Sequence, residues 1–206
     1  MGNIAYFSLL AKGDCVVDTG EHYVKQTYRN RCEILTANGP SALSVQVAHG
    51  GSGTKCPVRD MRVDYSKRWQ HQHRMAIVSA YRNAPFFEHY SDSILPILEQ
   101  RFEFLADLNL RLLEILMKHL KAGAMPRVSE TFIAANESHT DLRGCFPLKK
   151  VAGGTAVPGA NLCNGNAGYP AYWQVFSDRH AFIPNLSVLD LLMCEGPSSK
   201  DYLLAL

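Results

Sequence analysis

The chain has 206 residues, of which 47% are hydrophobic and 19% are charged, and its formal net charge is +2. This length and composition predict a globular protein with a hydrophobic core of ordinary size. A protein that coats a polyanion is usually far more basic, so nucleic acid is not expected as a partner.

No stretch of the sequence reaches the roughly 18 consecutive apolar residues that a membrane-spanning helix needs. The apolar segment at residues 4–11 lacks the basic flank and the cleavage site of a secretory signal peptide. We therefore predict a cytoplasmic protein without membrane insertion. The six cysteines have no CxxC or paired Cys/His spacing, so reduced thiols, no bound metal and no other cofactor are expected.

The first third of the chain is predicted to form β-strands. Residues 15–18 and 22–35 are the first two predicted strands, and the turn at residues 37–39 contains the Asn-Gly pair found in tight hairpins. Alternation of polar and apolar side chains predicts two further strands at residues 43–47 and 58–65.

The middle of the chain is predicted to be helical. Apolar side chains recur at helical spacing over residues 69–81, and Pro85 ends the pattern. A second apolar stripe runs over residues 92–121, with Pro96 in its first turn. Such a segment is long for a globular helix, so a break at residues 107–109 is expected.

The last part of the chain combines an irregular segment with a short helix. Residues 144–172 contain six glycines and three prolines without periodicity. Ser187 and Asp190 form a pair similar to a capping box, which predicts a helix that Gly196 and Pro197 end. The overall prediction is a single α+β domain over residues 1–206: a mixed sheet packs on a long central helix pair, with one long irregular segment near the C-terminal end.

Three cations and one asparagine lie within residues 25–32, with no acidic residue among them. If this segment is extended, Lys25, Arg29 and Arg31 share one face of a strand, opposite its apolar side chains. Guanidinium groups bind carboxylate and phosphate through paired hydrogen bonds, so this face is a candidate site for an anion. In the alternative, the arginines pair with acidic residues elsewhere in the fold: Asp60, Asp64 or Asp141.

Two groups are candidates for proton transfer. His73 lies on the apolar stripe of its predicted helix, where a buried structural histidine is the alternative. Asp141 lies with Arg143 at the start of the irregular segment, where a loop ion pair is the alternative. Cys32 follows the apolar parity of its predicted strand, and since buried cysteines are inert we do not expect it to be a nucleophile.

Several strings of the sequence together are specific enough to compare with known families. The strings are YVKQTYRNRC at 23–32, Trp69 with His73, AYRNAPFF at 80–87, DLN at 107–109, YWQVF at 172–176, PNLSVLDLL at 184–192 and EGP at 195–197. Their order and spacing resemble those of the WbqC-like family of bacterial proteins, over nearly the whole chain. The family's members usually begin with a proline-rich stretch carrying a histidine, which does not precede residues 4–7 here, so no role of that histidine is expected.

This resemblance implies a role in the biosynthesis of O-antigen or another surface polysaccharide. The implied reaction is the transfer of an acyl or aminoacyl group onto a nucleotide-linked amino sugar, and the alternative is a non-catalytic substrate-binding or assembly protein. The family's Asn-Arg pair matches Asn30 and Arg31. We expect an anionic small molecule as the partner. Independently of the resemblance, the length and the six glycines of residues 144–172 predict that part of this segment is a mobile cover over the site, with a passive linker as the alternative. The expected catalytic residues are His73 and Asp141, and the expected substrate-binding residues are Lys25, Arg29, Asn30, Arg31, Arg143, Tyr172 and Gln174.

Overall fold

The computed structural model describes residues 1–48, 56–134, 140–144 and 168–206, which form an α+β fold. The α+β prediction is therefore confirmed. Most of its regular structure is helical: α1 (Ile4–Lys12), α2 (Trp69–Tyr81), α3 (Phe87–Glu99), α4 (Leu105–Leu120), α5 (Val188–Glu195) and α6 (Ser199–Ala205), with short 3-10 turns at Val58–Asp60 and Gly196–Ser198.

The strands of the described residues form two small ladders. β1 (Val16–Asp18) pairs in parallel with β4 (Arg127–Ser129), and β2 (Arg31–Thr36) pairs antiparallel with β3 (Gly39–Ser44). In the predicted hairpin, Thr36 pairs with Gly39, and Gly39 takes the positive φ of 99° that glycine tolerates.

The strand predicted over residues 22–35 is wrong in its first part, because β2 begins only at Arg31. Residues 25–30 form turns, Gln26 has a positive φ of 57°, and Val24 is 51% exposed. Lys25 and Arg29 therefore do not share a strand face with Arg31. The alternation of polar and apolar residues does not distinguish a strand from a turn here, because contacts with residues distant in the sequence determine the path of the backbone.

The strand predicted over residues 58–65 is also wrong. The segment begins with a 3-10 turn, and its extended part makes only isolated bridges, between Val63 and Val47 and between Arg62 and Phe104. This segment therefore lies between neighbouring parts of the chain without forming a strand of either ladder.

The central helices follow the predicted apolar stripes, with one difference. α2 spans the predicted residues 69–81, but the break between α3 and α4 lies at residues 100–104 instead of 107–109. Gln70 explains this position, since its Nε2 donates to the carbonyls of Leu98 and Gln100, each at 2.7 Å, and caps the end of α3. Pro96 lies inside α3, not in the first turn of a longer helix.

The core joins both ends of the chain to the central helices. Asn3 caps α1 by accepting from the Tyr6 amide at 2.9 Å, and Ser8 donates to the Leu203 carbonyl at 2.8 Å, which holds α1 against α6. Among the described helices, none is both long and apolar enough to cross a bilayer. The largest fully buried side chains include Phe7, Ile34, Trp69, Ile77, Tyr81, Leu98, Leu108 and Leu116.

Candidate functional site

A cleft of ≈ 570 Å³ lies against α1, β1 and α4, with residues 133–134 and 140–143 on one side. Its floor is apolar and includes Phe7, Leu113 and Leu116. Cavities of this size, with an apolar floor and a few polar groups, are typical of small-molecule sites. The charged and amide side chains in its wall are Asn3, Asp14, Asp18, Glu21, Arg29, Asn109, Asp141 and Arg143.

Asp18 organises the wall where β1 ends. Its Oδ1 accepts hydrogen bonds from the backbone amides of Gly20 at 2.8 Å and Glu21 at 3.1 Å, which turns the chain after the strand. Gly20 is required at this turn, because a Cβ there would lie 2.4 Å from the backbone nitrogen of Phe132. The turn therefore brings Glu21 to the cleft.

Arg143 is held by several partners at once. It donates to both carboxylate oxygens of Asp141, at 2.9 and 2.7 Å, to Asp18 Oδ2 at 2.8 Å and to the Ile133 carbonyl at 2.9 Å. Its guanidinium carbon also lies 4.4 Å from the ring centre of Phe132. These hydrogen bonds lower the pKa of Asp141 below its usual value, so its carboxylate is ionised at neutral pH.

Arg29 is already paired within the wall. It donates to both carboxylate oxygens of Glu21, from Nε at 2.8 Å and from Nη2, and the two side chains are only 17% and 15% exposed. Asn109 on α4 donates to the Arg29 carbonyl at 2.7 Å and so fixes the backbone of this turn. Arg29 therefore pairs with an acidic residue, as in the alternative considered above, but its partner is Glu21 and not Asp60, Asp64 or Asp141.

The residues expected at the site fall into several groups. Arg29, Asp141 and Arg143 line the cleft, whereas exposed Lys25 lines neither this cleft nor the smaller cavity beside it. That smaller cavity, of ≈ 20 Å³, is lined by the other three predicted residues of the N-terminal half: Asn30, Arg31 and His73.

His73 is buried on α2, with its ring 5.1 Å from that of Trp69. Burial lowers its pKa to about 4, although a hydrogen bond to the Ser44 backbone acts in the opposite direction. The imidazole is therefore neutral near pH 7. It faces the smaller cavity and not the cleft that holds Asp141.

Tyr172 and Gln174 lie around buried Asp190 and line neither cavity. The Tyr172 hydroxyl and Gln174 Nε2 both donate to Asp190 Oδ2, at 2.7 and 2.9 Å. Gln174 also exchanges two hydrogen bonds of 3.0 Å with the backbone of Ile183. Burial raises the pKa of Asp190 above its usual value despite these donors. In this arrangement the two side chains tie residues 172–183 to α5.

Among the described cysteines, none is an evident nucleophile for the cleft. Cys15 lines it, but burial raises the pKa of its thiol, which donates to the Leu9 carbonyl at 3.5 Å. The described cysteines, at positions 15, 32, 56 and 194, are free, and the described residues contain no cluster of potential metal ligands. Cys145, Cys163 and most of the segment expected to cover the site, residues 145–167, lie outside the described residues.

Sequence reasoning missed five of these side chains: Asn3, Asp14, Asp18, Glu21 and Asn109. A signal existed for Asn109, because this amide interrupts an apolar helix and belongs to one of the strings shared with the WbqC-like family. Asp18 and Glu21 had none, because their importance comes from partners more than 100 residues away or from a turn that the local pattern did not predict.

Comparison with known proteins identifies the family. Residues 3–156 match the model of the WbqC-like protein family. The chain belongs to the WbqC-like family. The matched range contains every cleft residue discussed above, whereas Tyr172 and Gln174 lie beyond it.

One relative of this WbqC-like chain is found among curated proteins. It is a Mycobacterium tuberculosis (strain ATCC 25618 / H37Rv) protein described as "Uncharacterized protein Rv1507c", 26% identical over 215 residues. The alignment covers 96% of this chain and 91% of the relative. No solved structure matches the chain.

Proposed function

We propose that this WbqC-like protein binds an activated amino sugar in the cleft and transfers an acyl or aminoacyl group onto its amine. The reaction would belong to the biosynthesis of a bacterial surface polysaccharide such as O-antigen, in the cytoplasm. The observation that carries the proposal is one small-molecule-sized cleft into which guanidinium and carboxylate groups converge. Neither nucleic acid nor membrane insertion is part of the proposal.

The guanidinium of Arg143 is the proposed contact for the phosphate or carboxylate of the substrate. Its partner Asp141 is 38% exposed and lies only two residues away in the chain, and ion pairs of such exposed groups contribute little stability. A ligand oxyanion can therefore replace Asp141 on the same guanidinium nitrogens at small cost. Arg29 is a less accessible second contact, since its pair with Glu21 is largely buried.

The carboxylates of the wall suit the amine of the sugar. Asp141, once displaced from Arg143, is an ionised acceptor inside the cleft. In the proposed step the amine nitrogen forms a bond to the acyl carbon of an ester or thioester donor, and the bond to the donor's oxygen or sulfur breaks. The amine loses one proton, for which Asp141 is the nearest acceptor we assign, and the leaving group takes up a proton.

A second candidate is a non-catalytic protein that binds this substrate for a polysaccharide-assembly complex. The observation in its favour is that both proposed proton acceptors are poor bases in the free protein. The pKa of Asp141 is lowered by Arg143, and that of His73 is lowered by burial to about 4, whereas an efficient general base has a pKa near the working pH.

The test is incubation of the pure protein with a panel of nucleotide-linked amino sugars and acyl or aminoacyl donors, analysed by mass spectrometry. The transferase predicts a product heavier by the acyl group, formed by the wild type and strongly reduced in Arg143→Gln. The matched control is Arg74→Gln, because Arg74 forms an exposed pair with Glu99 and does not line the cleft. Binding without any product would instead support the non-catalytic candidate.

A further inference from the structure

Three buried side-chain atoms without a hydrogen-bond partner belong to residues that line the smaller cavity: Asn30 Oδ1, Arg31 Nε and His73 Nδ1. Buried polar atoms are nearly always hydrogen-bonded, so a group of unpaired ones around one cavity indicates a place for a bound polar group. His73 is the most buried of the three residues, with only 5% of its surface exposed.

The contacts around the cavity define which of these atoms donate and which accept. Asn30 Nδ2 donates to the Val45 carbonyl at 3.0 Å, which leaves the amide oxygen as the acceptor. His73 bonds the Ser44 backbone and is neutral, and since Nδ1 has no partner, the proton belongs on Nε2. Arg31 Nε is always a donor. The residues that line the cavity thus carry two acceptors and one donor without a partner.

This combination selects for a neutral group. An anion would meet two acceptors, and a cation would meet the guanidinium of Arg31. A volume of ≈ 20 Å³ accommodates one heavy atom with its hydrogens. A neutral primary amine donates twice and accepts once, which matches the three atoms, and a hydroxyl satisfies two of them.

The cavity adjoins the larger cleft. Met1, Tyr28, Arg29 and Asn109 line both of them, so the two meet at the wall that carries Arg29. A substituent of a ligand in the cleft is therefore close to this cavity.

We propose that the small cavity is the subsite for one neutral amine or hydroxyl substituent of the sugar ring, other than the amine that receives the acyl group, held by Asn30 Oδ1, His73 Nδ1 and Arg31 Nε. This inference rests on the proposed function, because it requires the sugar to bind in the cleft. These three residues do not line the cleft itself, so the small cavity would provide the selectivity for the ring substituent.

The test uses nucleoside-diphosphate hexoses that carry an amine, a hydroxyl or only hydrogen at one ring carbon, compared by isothermal titration calorimetry. The wild type should bind the amine or the hydroxyl compound at least about tenfold more tightly than the hydrogen analogue, because the analogue leaves the buried atoms unpaired. The better of the first two compounds identifies the substituent. His73→Phe, which fills the cavity and removes the acceptor, should abolish this preference while the hydrogen analogue still binds.

Each outcome of this titration decides the question. Equal binding of the three compounds by the wild type contradicts the subsite and leaves the proposed cleft intact. Binding of none of them contradicts both the subsite and the proposed function. If His73→Phe fails to fold, as judged by circular dichroism, Asn30→Ala serves as the second variant, and a preference that persists in it contradicts the subsite.

Discussion

Arg143 donates a hydrogen bond of 2.8 Å to Asp18, a residue 125 positions earlier in the chain. The Asp18 side chain is only 8% exposed, so this ion pair lies largely out of water. The same guanidinium also donates to Asp141 and to the Ile133 carbonyl, so it connects these two residues, on one side of the cleft, to the end of β1.

Asp18→Asn should therefore destabilise the protein by about 2 kcal/mol, since the charged hydrogen bond between Arg143 and the buried Asp18 carboxylate is lost. The variant can still accept from the turn amides, which limits the loss. Urea denaturation measures the change. Asp14→Asn is the matched control, because Asp14 pairs with Arg127 but is 84% exposed, and it should change the free energy of unfolding by less than about 0.5 kcal/mol. Equal effects of the two substitutions would contradict the importance of the Asp18 pair.

His73 should make the free energy of unfolding depend on pH in the acidic range. Its pKa is about 4 in the folded protein against an ordinary value of 6.5, so its contribution is fully present above pH 6.5 and is lost as the pH falls toward 4. The difference corresponds to about 3 kcal/mol at most. His73→Gln should lack this component when its free energy of unfolding is compared with that of the wild type across pH 4 to 7.

The control for this comparison is His71→Gln on the same helix. Because the His71 side chain is exposed, this variant should show the same dependence of the free energy of unfolding on pH as the wild type. Parallel pH profiles for the wild type and His73→Gln would show that the buried imidazole does not resist protonation.

The elements that could be predicted from the sequence are those whose pattern is local. α2 needs only an apolar stripe and a terminating proline, and both stand in the sequence between Trp69 and Pro85. The turn before β2 could not be predicted, because its direction depends on Glu21, Val45 and Asn109, which lie far apart in the sequence.

The candidate site was predictable in its residue types but not in its pairings. The chemistry of Arg29, Asp141 and Arg143 predicts them at the site and they do line the cleft, yet the sequence does not indicate which carboxylate each guanidinium pairs with. Tyr172 and Gln174, expected as substrate-binding residues, line neither cavity. Their partner is Asp190, which is completely buried. The sequence shows only a helix with an acidic residue in its first turn, and this pattern does not predict the burial.

Glu21→Gln should make Arg29 available to an external anion. The variant keeps a side chain of the same size but loses the charge that neutralises the guanidinium, so inorganic pyrophosphate should bind several-fold more tightly than to the wild type. Calorimetric titration at constant ionic strength gives the affinities. Glu103→Gln frees Arg62 on an exposed surface and should leave the affinity unchanged. No gain for Glu21→Gln would show that Arg29 is not an anion contact.

Tyr172→Phe should lower stability without changing ligand binding. The substitution removes one hydrogen bond to the buried carboxylate of Asp190, which costs about 1–3 kcal/mol. Thermal denaturation reports the loss, and calorimetry with a nucleotide-linked amino sugar, well below the melting temperature, reports binding. A variant that is as stable as the wild type but binds the sugar poorly would contradict this prediction and indicate that Tyr172 contacts the substrate.

The central claim is that the cleft between α1, β1 and α4 receives an activated amino sugar. It is tested most directly by mapping NMR chemical-shift changes while a nucleotide-linked amino sugar is titrated into the labelled protein. The account predicts saturable changes concentrated at the side chains of Arg29, Asn109 and Arg143, and their loss in Arg143→Gln. Saturable changes that spare these residues and cluster elsewhere, or no change with any sugar of the panel, would contradict it.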